Sequence, residues 1–265
     1  MGGAISCGPK AEPYPAALPS SMSLPDGVSI LQPNEKNAVV KAVSVCARSF
    51  AGMDAVPGPS EFDWQLFDKK NQKITDVQER VHILSAAFSF TVHQAFLMKD
   101  RGLVLVVRGE NEEIIGVLIL YLYPKKWEPD SSWFQMKVAM AAGASKWDAA
   151  QNQFITSKRA LAFEKALVDM KKQHCVGDSC CIAYVQVVAV DPEHQKKGVG
   201  KKLLSAACAV GDELRLPLFL ETDAGRVDAF FQKFGFKDLG SSTLETKDGE
   251  RWEGSLLAMR RPIGE

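Results

Sequence analysis

The sequence predicts an α/β chain of the α+β kind, and three observations carry that prediction. Segments with strand patterning alternate with segments of helical spacing all the way from Val28 to Met259. Val187 to Gly200 reads Val-Val-Ala-Val-Asp-Pro-Glu-His-Gln-Lys-Lys-Gly-Val-Gly, a strand, a short turn and a glycine-rich helix start. The 265 residues, 46% hydrophobic and 24% charged, suffice for one sizeable core or at most two small ones.

Residues 1–26 hold five prolines and few large apolar residues, and read as a flexible tail before a folded domain over 27–265. Val28 to Leu31 is a short strand. Asn34 can cap a helix running through Ala38, Val39, Ala42, Val43 and Cys46 to about Phe50. Gly52 to Pro59 breaks regular structure. Ile74 to Met98 is apolar at helical spacing. Leu103 to Arg108 and Ile114 to Tyr123 are strands, and the polar run between them predicts a hairpin. Residues 125–172 are helical but irregular, with Trp127, Trp133 and Trp147, and read as an insertion. Ile182 to Val190 is apolar on both faces, as a strand covered on both sides should be. Val199, Leu203, Leu204, Ala207, Val210 and Leu214 form the buried stripe of the next helix. Pro217 to Glu221 is a strand. Val227, Phe230, Phe231 and Phe234 then recur on one helical face, and Gly235 ends that helix. Phe236 to Leu239 and Trp252 to Met259 are the last two strands.

The turn into the helix at Val199 has the makings of a phosphate site. The first amides of a helix have no partner within it, and the macrodipole adds partial positive charge there. Gly198 and Gly200 let a bulky anion approach the backbone, and Lys196, Lys197, Lys201 and Lys202 surround them. A Walker loop is excluded, because Gln195 stands where its first Gly belongs and Lys202 where its hydroxyl belongs. A dinucleotide fingerprint fails because Leu203 replaces its third Gly. What fits is Gln/Arg-x-x-Gly-x-Gly/Ala after a strand ending in Val-Asp-Pro: Gln195, Lys196, Lys197, Gly198, Val199, Gly200. Downstream, Leu220-Glu-Thr-Asp is followed by Phe230-Phe-Gln-Lys-Phe-Gly-Phe.

With these two elements the chain resembles the GNAT superfamily of acyl-CoA N-acyltransferases, clearly from about Ile182 to Phe236 and in element order from Val28. The resemblance implies the acyl-CoA N-acyltransferase fold, a mixed, mostly antiparallel sheet of about seven strands flanked by helices. It implies that the loop Gln195 to Lys201 clasps the pyrophosphate of acetyl-CoA, the acyl donor. The fourth and fifth strands would splay, with backbone groups of Val188, Ala189 and Val190 pairing with the pantetheine arm. An N–H near Ala189 or Val190 would polarise the thioester carbonyl. Tyr184 and Glu221 are the candidate catalytic groups, their bland alternatives being a packed phenol and a solvated strand end. By two-residue alternation Tyr184, Gln186 and Val188 share a face, before any bulge shifts the phase. Phe231 departs from the family pattern: many relatives carry a tyrosine there, whose hydroxyl can protonate the coenzyme sulfur. Its ring would still pack on the pantetheine.

Two functions follow from different classes. The first is transfer of acetyl from acetyl-CoA to a primary amine, small molecule or protein, by direct attack. The second is a coenzyme A-binding or scaffold protein that has lost catalysis, which Phe231 favours. The acceptor would be chosen by Gly52 to Trp64 and the Trp-rich insertion, where Glu61, Asp63 and Asp130 could attract a cationic amine or be ordinary loop acids.

Lys plus Arg equals Asp plus Glu at 32 each, so no basic surplus argues for nucleic acid. The apolar run Ile114 to Leu122 is too short to span a bilayer. Six cysteines without a secretory signal suggest reduced thiols in the cytoplasm. His174-Cys175 and Cys180-Cys181 lack the paired spacing of structural zinc and read as a thiol-bearing loop, with a metal cluster as the alternative. Met1-Gly2-Gly3-Ala4-Ile5-Ser6 satisfies the N-myristoylation pattern at Gly2, and Cys7 offers a palmitoylation site. One chain binds membrane only marginally, so peripheral association would need both. The alternative is a plain, disordered start.

Overall fold

A computed structural model describes residues 23–52, 60–125, 127–175 and 181–264 of the chain. Its elements are β1 (Val28–Ile30), α1 (Lys36–Ala51), α2 (Glu61–Gln65), α3 (Val77–Leu97), β2 (Gly102–Arg108) and β3 (Ile114–Tyr123). Then come α4 (Ser132–Ala141), α5 (Ala149–Thr156), α6 (Lys158–His174), β4 (Ile182–Val190) and α7 (Val199–Glu213). The chain continues with β5 (Leu218–Asp223), α8 (Asp228–Gln232), β6 (Lys237–Ser242) and β7 (Leu256–Arg261). The strands form one seven-stranded sheet in the order β1-β2-β3-β4-β5-β7-β6, and only the β4–β5 pair is parallel. This is the mixed, mostly antiparallel sheet flanked by helices that the sequence predicts.

Both sheet faces are covered, which explains the strands that read as continuous apolar runs. On one face α1, α3 and α6 close a core that includes Ala42, Val45, Leu84, Val92, Leu167, Ile119, Tyr184 and Phe219. On the other, α7 lays Leu203, Leu204, Ala207 and Val210 over Leu105, Leu118, Val185 and Leu220. β4 is apolar on both sides because it contributes to both cores. Gly116 is needed at the α7 contact, since a Cβ there would lie 2.5 Å from Val199 Cγ1.

Several boundaries differ from the sequence-based expectation. The cap of α1 is Glu35 rather than Asn34, and Glu35 Oε2 instead accepts from the Gln32 amide at 3.0 Å. Helix α3 begins at Val77 because Asp76 caps it, accepting from the Glu79 amide at 2.8 Å. A short helix, α2, adds a turn between the two expected ones, started by Ser60 accepting from the Phe62 amide. The Phe-rich helix is one turn, α8, since Val227 has φ −131° and lies outside it. Gly235, at φ +84°, follows as expected. The last strand begins at Leu256, because Trp252 belongs to a loop whose amide bonds to Leu244 O at 3.0 Å.

Arg80 is fully buried and ties three segments together. Its Nε donates to Ala51 O at 2.8 Å, its Nη1 to Ile74 O at 3.2 Å and its Nη2 to Asp63 Oδ1 at 2.6 Å. The end of α1, α2 and the approach to α3 are thus fixed by one guanidinium. The outer strands differ from the central ones. β1 has three residues, while β6 is mostly exposed and shifts register between Asp238 and Gly240.

Replacing Arg80 with Met should leave two buried carbonyls and a carboxylate without their donor. A loss of about 3 kcal/mol in urea unfolding is expected; a change under about 1 kcal/mol would mean that the guanidinium is not the tie it appears from its bonds.

Candidate active site

The site begins with a separation of strands. β4 and β5 share a parallel ladder only at Ala183↔Leu218 and Tyr184↔Phe219, although both strands continue. The cause lies two residues further along β4. Val185 pairs with Leu120 of β3 and Val187 with Ile119, so Gln186 is an extra residue, a bulge. Bulges bend the strand that carries them and raise its twist. β4 therefore stays with β3 and leaves β5.

The bulge also changes which side chains share a face. Tyr184, Val187 and Ala189 join the core under α1 and α3, while Val185, Val188 and Val190 pack on the α7 side. The expected alignment of Tyr184, Gln186 and Val188 on one face is thus broken at Gln186. Backbone direction follows the same rule. The Asp191 amide donates to Ile115 O on β3 at 2.9 Å, so alternation turns the Ala189 N–H toward β3 and those of Val188 and Val190 toward the gap. The Val190 amide meets Ser49 Oγ of α1 at 3.4 Å, a long bond.

Beyond Val190 the chain makes a tight, internally bonded turn. Asp191 is buried and paired with Arg48, accepts the Glu193 amide at 3.1 Å through Oδ1, and accepts the His194 amide at 2.8 Å through its carbonyl. The Gln195 side chain donates to Val190 O at 3.2 Å, fastening the loop to the end of β4. Lys196 has φ +60° and Gly198 φ +84°, two left-handed residues that swing the chain into α7. A Cβ at Gly198 would meet nothing within 4 Å, so that glycine serves backbone conformation and the space above it is open. A Cβ at Gly200 would be in ordinary contact with Val190 Cγ2 at 3.6 Å and Phe230 Cζ at 3.7 Å.

The first intrahelical acceptor of α7 is Gly198 O, which takes the Lys202 amide at 3.1 Å. The amides of Val199, Gly200 and Lys201 precede that bond and carry the helix's positive end. Val199 buries its side chain, so only its backbone is offered. Lys196, Lys197 and Lys201 are exposed around the turn. Lys202 lies on another side, its Nζ near Gly27. The residues present fit a diphosphate: an open backbone, unpartnered helix amides and three cations.

At the opposite side of the gap sit Tyr184 and Glu221. Tyr184 is 4% exposed, its ring 6.2 Å from those of Tyr121 and Phe219. Burial, then the neighbouring Glu221 charge, hold the Tyr184 phenol well above the usual tyrosine range, so it keeps its proton. Glu221 is not a solvated strand end. Its side chain is 2% exposed, and Oε1 accepts from Lys171 Nζ at 3.1 Å. Glu221 Oε2 is buried without a hydrogen-bond partner among the described residues. Lys171 itself lies over the Tyr184 ring at 4.2 Å.

Phe231 is on the other face, in the α7 core, with its ring 5.4 Å from Phe230 and 5.8 Å from Phe236. Phe230 lines the gap near Gly200. The sequence reading missed Lys171, Ser49 and this role of Phe230. No spacing rule joins Lys171 to Glu221, 50 residues away; only the signal of a lysine in an otherwise buried stripe of α6 was there to find.

The three loop acids proposed to attract an amine are already engaged. Asp63 pairs with Arg80, and also with Lys73 at 3.4 Å. Asp130 accepts from Gln94 Nε2 at 2.6 Å, and burial raises its carboxyl. Burial, then the Asp223 charge, raise Glu61 well above the carboxylate range. Gly2 and Cys7 lie outside the described residues, as does most of the Gly52 to Pro59 segment. No helix among the described residues is long and apolar enough to cross a membrane.

Residues 161–238, from α6 to the start of β6, match the family model of the acetyltransferase (GNAT) domain. Residues 161–238 are a GNAT domain. All of the candidate catalytic and coenzyme-binding residues, and Lys171 with them, fall inside the matched segment. Among solved structures, the C-terminal condensation domain of Ebony in complex with beta-alanyl-dopamine shares 12% identity, with 89% of this chain and 98% of that one covered, at a TM-score of 0.55. A Corynebacterium glutamicum structure described as histone acetyltransferase HPA2 and related acetyltransferase shares 17% identity over 90% of this chain and 96% of its own, at a TM-score of 0.49. The ribosomal-protein-S18-alanine N-acetyltransferase of Escherichia coli shares 15% over 90% and 94%, at 0.42. At 12% identity the likeness to the Ebony domain is one of fold alone. Among curated proteins the chain has no match.

The chain has four tyrosines, and burial is the largest cause raising the phenols of three, Tyr121, Tyr123 and Tyr184. Unfolded tyrosines release their protons near pH 10, so these three stabilise the fold below that pH, and their contribution is lost as pH rises through their native values. Ultraviolet titration of the folded protein should count no more than about one phenolate at pH 11. Two or more would show that these rings are open to solvent.

Proposed function

We propose that this GNAT domain transfers an acetyl group from acetyl-CoA to a primary amine by direct attack. The observation that carries the reading is the early end of the β4–β5 ladder, with the start of α7 on one side and Tyr184 and Glu221 on the other. The amides of Val199, Gly200 and Lys201, with Lys196, Lys197 and Lys201, would hold the donor's diphosphate. The gap-facing backbone of Val188 and Val190 would take the place of a strand ladder for the pantetheine arm. Ala189 would lend shape alone, since its amide turns to β3. Phe230 and Phe231 would pack on the arm's apolar part.

Acetyl-CoA, when bound, supplies an activated acyl group on sulfur. As the amine nitrogen bonds to the carbonyl carbon, negative charge grows on the oxygen. The gap-facing N–H of Val188 or Val190 can donate to it; one fixed donor is worth about 3 kcal/mol. Glu221, whose Oε1 is held by Lys171 and whose carboxylate neighbours the Tyr184 phenol, would receive the amine's proton through Oε2. Tyr184, which keeps its phenolic proton at neutral pH, would give one to the leaving sulfur, the task that Phe231 cannot perform. The acceptor would approach from the α1, α3 and α6 face, where both side chains sit. No covalent enzyme intermediate is needed.

Phe231 also supports a second reading, a coenzyme A-binding protein without turnover. Release of free thiol from acetyl-CoA across spermidine, glucosamine and a lysine-containing peptide separates the two. Binding without thiol above background for any amine would select the second.

Gly198→Asp and Gly200→Asp should each abolish coenzyme A binding in calorimetry while the circular dichroism spectrum persists, because a carboxylate would stand at the diphosphate position. Unchanged affinity in either would reject the loop. Glu221→Gln should lower kcat by about 100-fold or more, the range of lost general-base help, with the KM for acetyl-CoA little changed. An equal loss in KM would show that Glu221 binds rather than reacts. For the amino terminus we keep acylation of Gly2 and Cys7 as a proposal: Gly2→Ala should abolish the membrane fraction in cells, and equal fractions would remove the idea.

A further inference from the structure

Lys171 is a charged side chain beside the gap that the proposed chemistry does not yet use. It belongs to the last turn of α6, in the helical segment between β3 and β4, and its side chain is 7% exposed. Burying an ammonium is costly unless it is paired. Here it has three partners from three elements: Glu221 Oε1 of β5 at 3.1 Å, the Tyr184 ring of β4 at 4.2 Å and the Trp127 ring at 5.8 Å. Ring faces attract cations at these distances. The pairing is one-sided for Glu221: Lys171 holds Oε1, while the buried Oε2 makes no geometric bond among the described residues and has the Tyr184 phenol as a polar neighbour of the same carboxylate. A buried carboxylate oxygen without a formed bond costs stability, and beside the gap between β4 and β5 it can take a donor that arrives with a ligand.

We propose that Lys171 is a positioning residue: it anchors Oε1 of Glu221 and so aims Oε2 at the acceptor amine, leaving that oxygen to receive the proton. The proposal rests on the transferase reading above. In the step, the amine's N–C bond forms as the C–S bond breaks, Glu221 Oε2 takes the proton lost by nitrogen, and the Tyr184 phenol protonates the departing thiolate. The Lys171 ammonium transfers nothing. Its charge and direction compensate the buried carboxylate, so α6 becomes part of the catalytic geometry. The other ionisable groups around this carboxylate are the Tyr184 phenol of β4, Tyr123 of β3 and Glu164 of α6.

The test compares the full-length wild type with Lys171→Met, Lys171→Arg and Glu221→Gln. Thiol release from acetyl-CoA is followed from pH 5 to 9, with whichever of spermidine, glucosamine or a lysine-containing peptide reacts fastest. Lys171→Met should lower kcat by about tenfold or more and move the acidic limb of the kcat profile up by about one pH unit or more. The calorimetric affinity for coenzyme A should stay unchanged. Lys171→Arg should restore the limb to its wild-type place with only part of the rate, since charge returns but direction differs. If Lys171→Met does not fold, Lys171→Arg decides alone: a limb in place with a lowered kcat supports the role, and a wild-type rate rejects it. An unmoved limb in Lys171→Met, or a fall in coenzyme affinity parallel to the fall in rate, overturns the proposal while leaving the transferase reading intact. A wild type silent with every amine at every pH overturns that reading and this one together.

Discussion

The structure depends on the point where two parallel strands stop pairing. β4 and β5 meet over two residue pairs and then part, because the extra residue at Gln186 keeps β4 in register with β3 and bends it away. Parting leaves the backbone groups of Val188 and Val190 without a strand partner, and each polar group so left in a partly buried place costs about 1–3 kcal/mol. Gln195 recovers a bond to the Val190 carbonyl, and Ser49 a long contact to its amide. A sheet that tolerates this cost at its centre, where pairing is otherwise complete, has the shape of a slot for an extended ligand with amide groups of its own.

The gap also joins two environments that are separate everywhere else. On the α7 side lie an open helix start, exposed lysines and a cluster of phenylalanines. On the other side lie a buried carboxylate, an ammonium and a phenol that keeps its proton. One side suits an anionic nucleotide with an apolar arm, and the other suits proton transfer in a place short of water. The bulge serves both, since it opens the slot and turns Tyr184 and Val188 to opposite faces. Arg80 acts at a distance from this by fixing α2 and the end of α1.

How much of this the sequence disclosed follows from the range of the interactions. The loop from Gln195 to Gly200 was legible because its chemistry is local: strand, turn, glycines and helix start are consecutive. The seven strands were legible in order because two-residue and continuous apolar patterns are local too. The start of α3 and the length of α8 were less so, since caps and single backbone angles decide them. The pairing of Lys171 with Glu221, and the burial of Glu221, were not legible at all. They depend on how α6 crosses the sheet, and a Glu after Leu220 looks the same whether solvent or an ammonium faces it. The bulge was foreseen as a kind of event but not as a place, because Gln186 alone reads as an ordinary half-buried strand residue.

The two outermost strands have a consequence for the molecule's behaviour in crowded solution. An uncovered strand edge is a template on which another chain can add itself, and long flat edges seed aggregates. Here one border is a three-residue strand, too brief to template much. The other is mostly solvent-facing, begins with Lys237 and Asp238, and slips register at once, so a foreign strand would meet charge and a misaligned ladder. A protein whose sheet parts between β4 and β5 is thus guarded at its borders against pairing with its own copies.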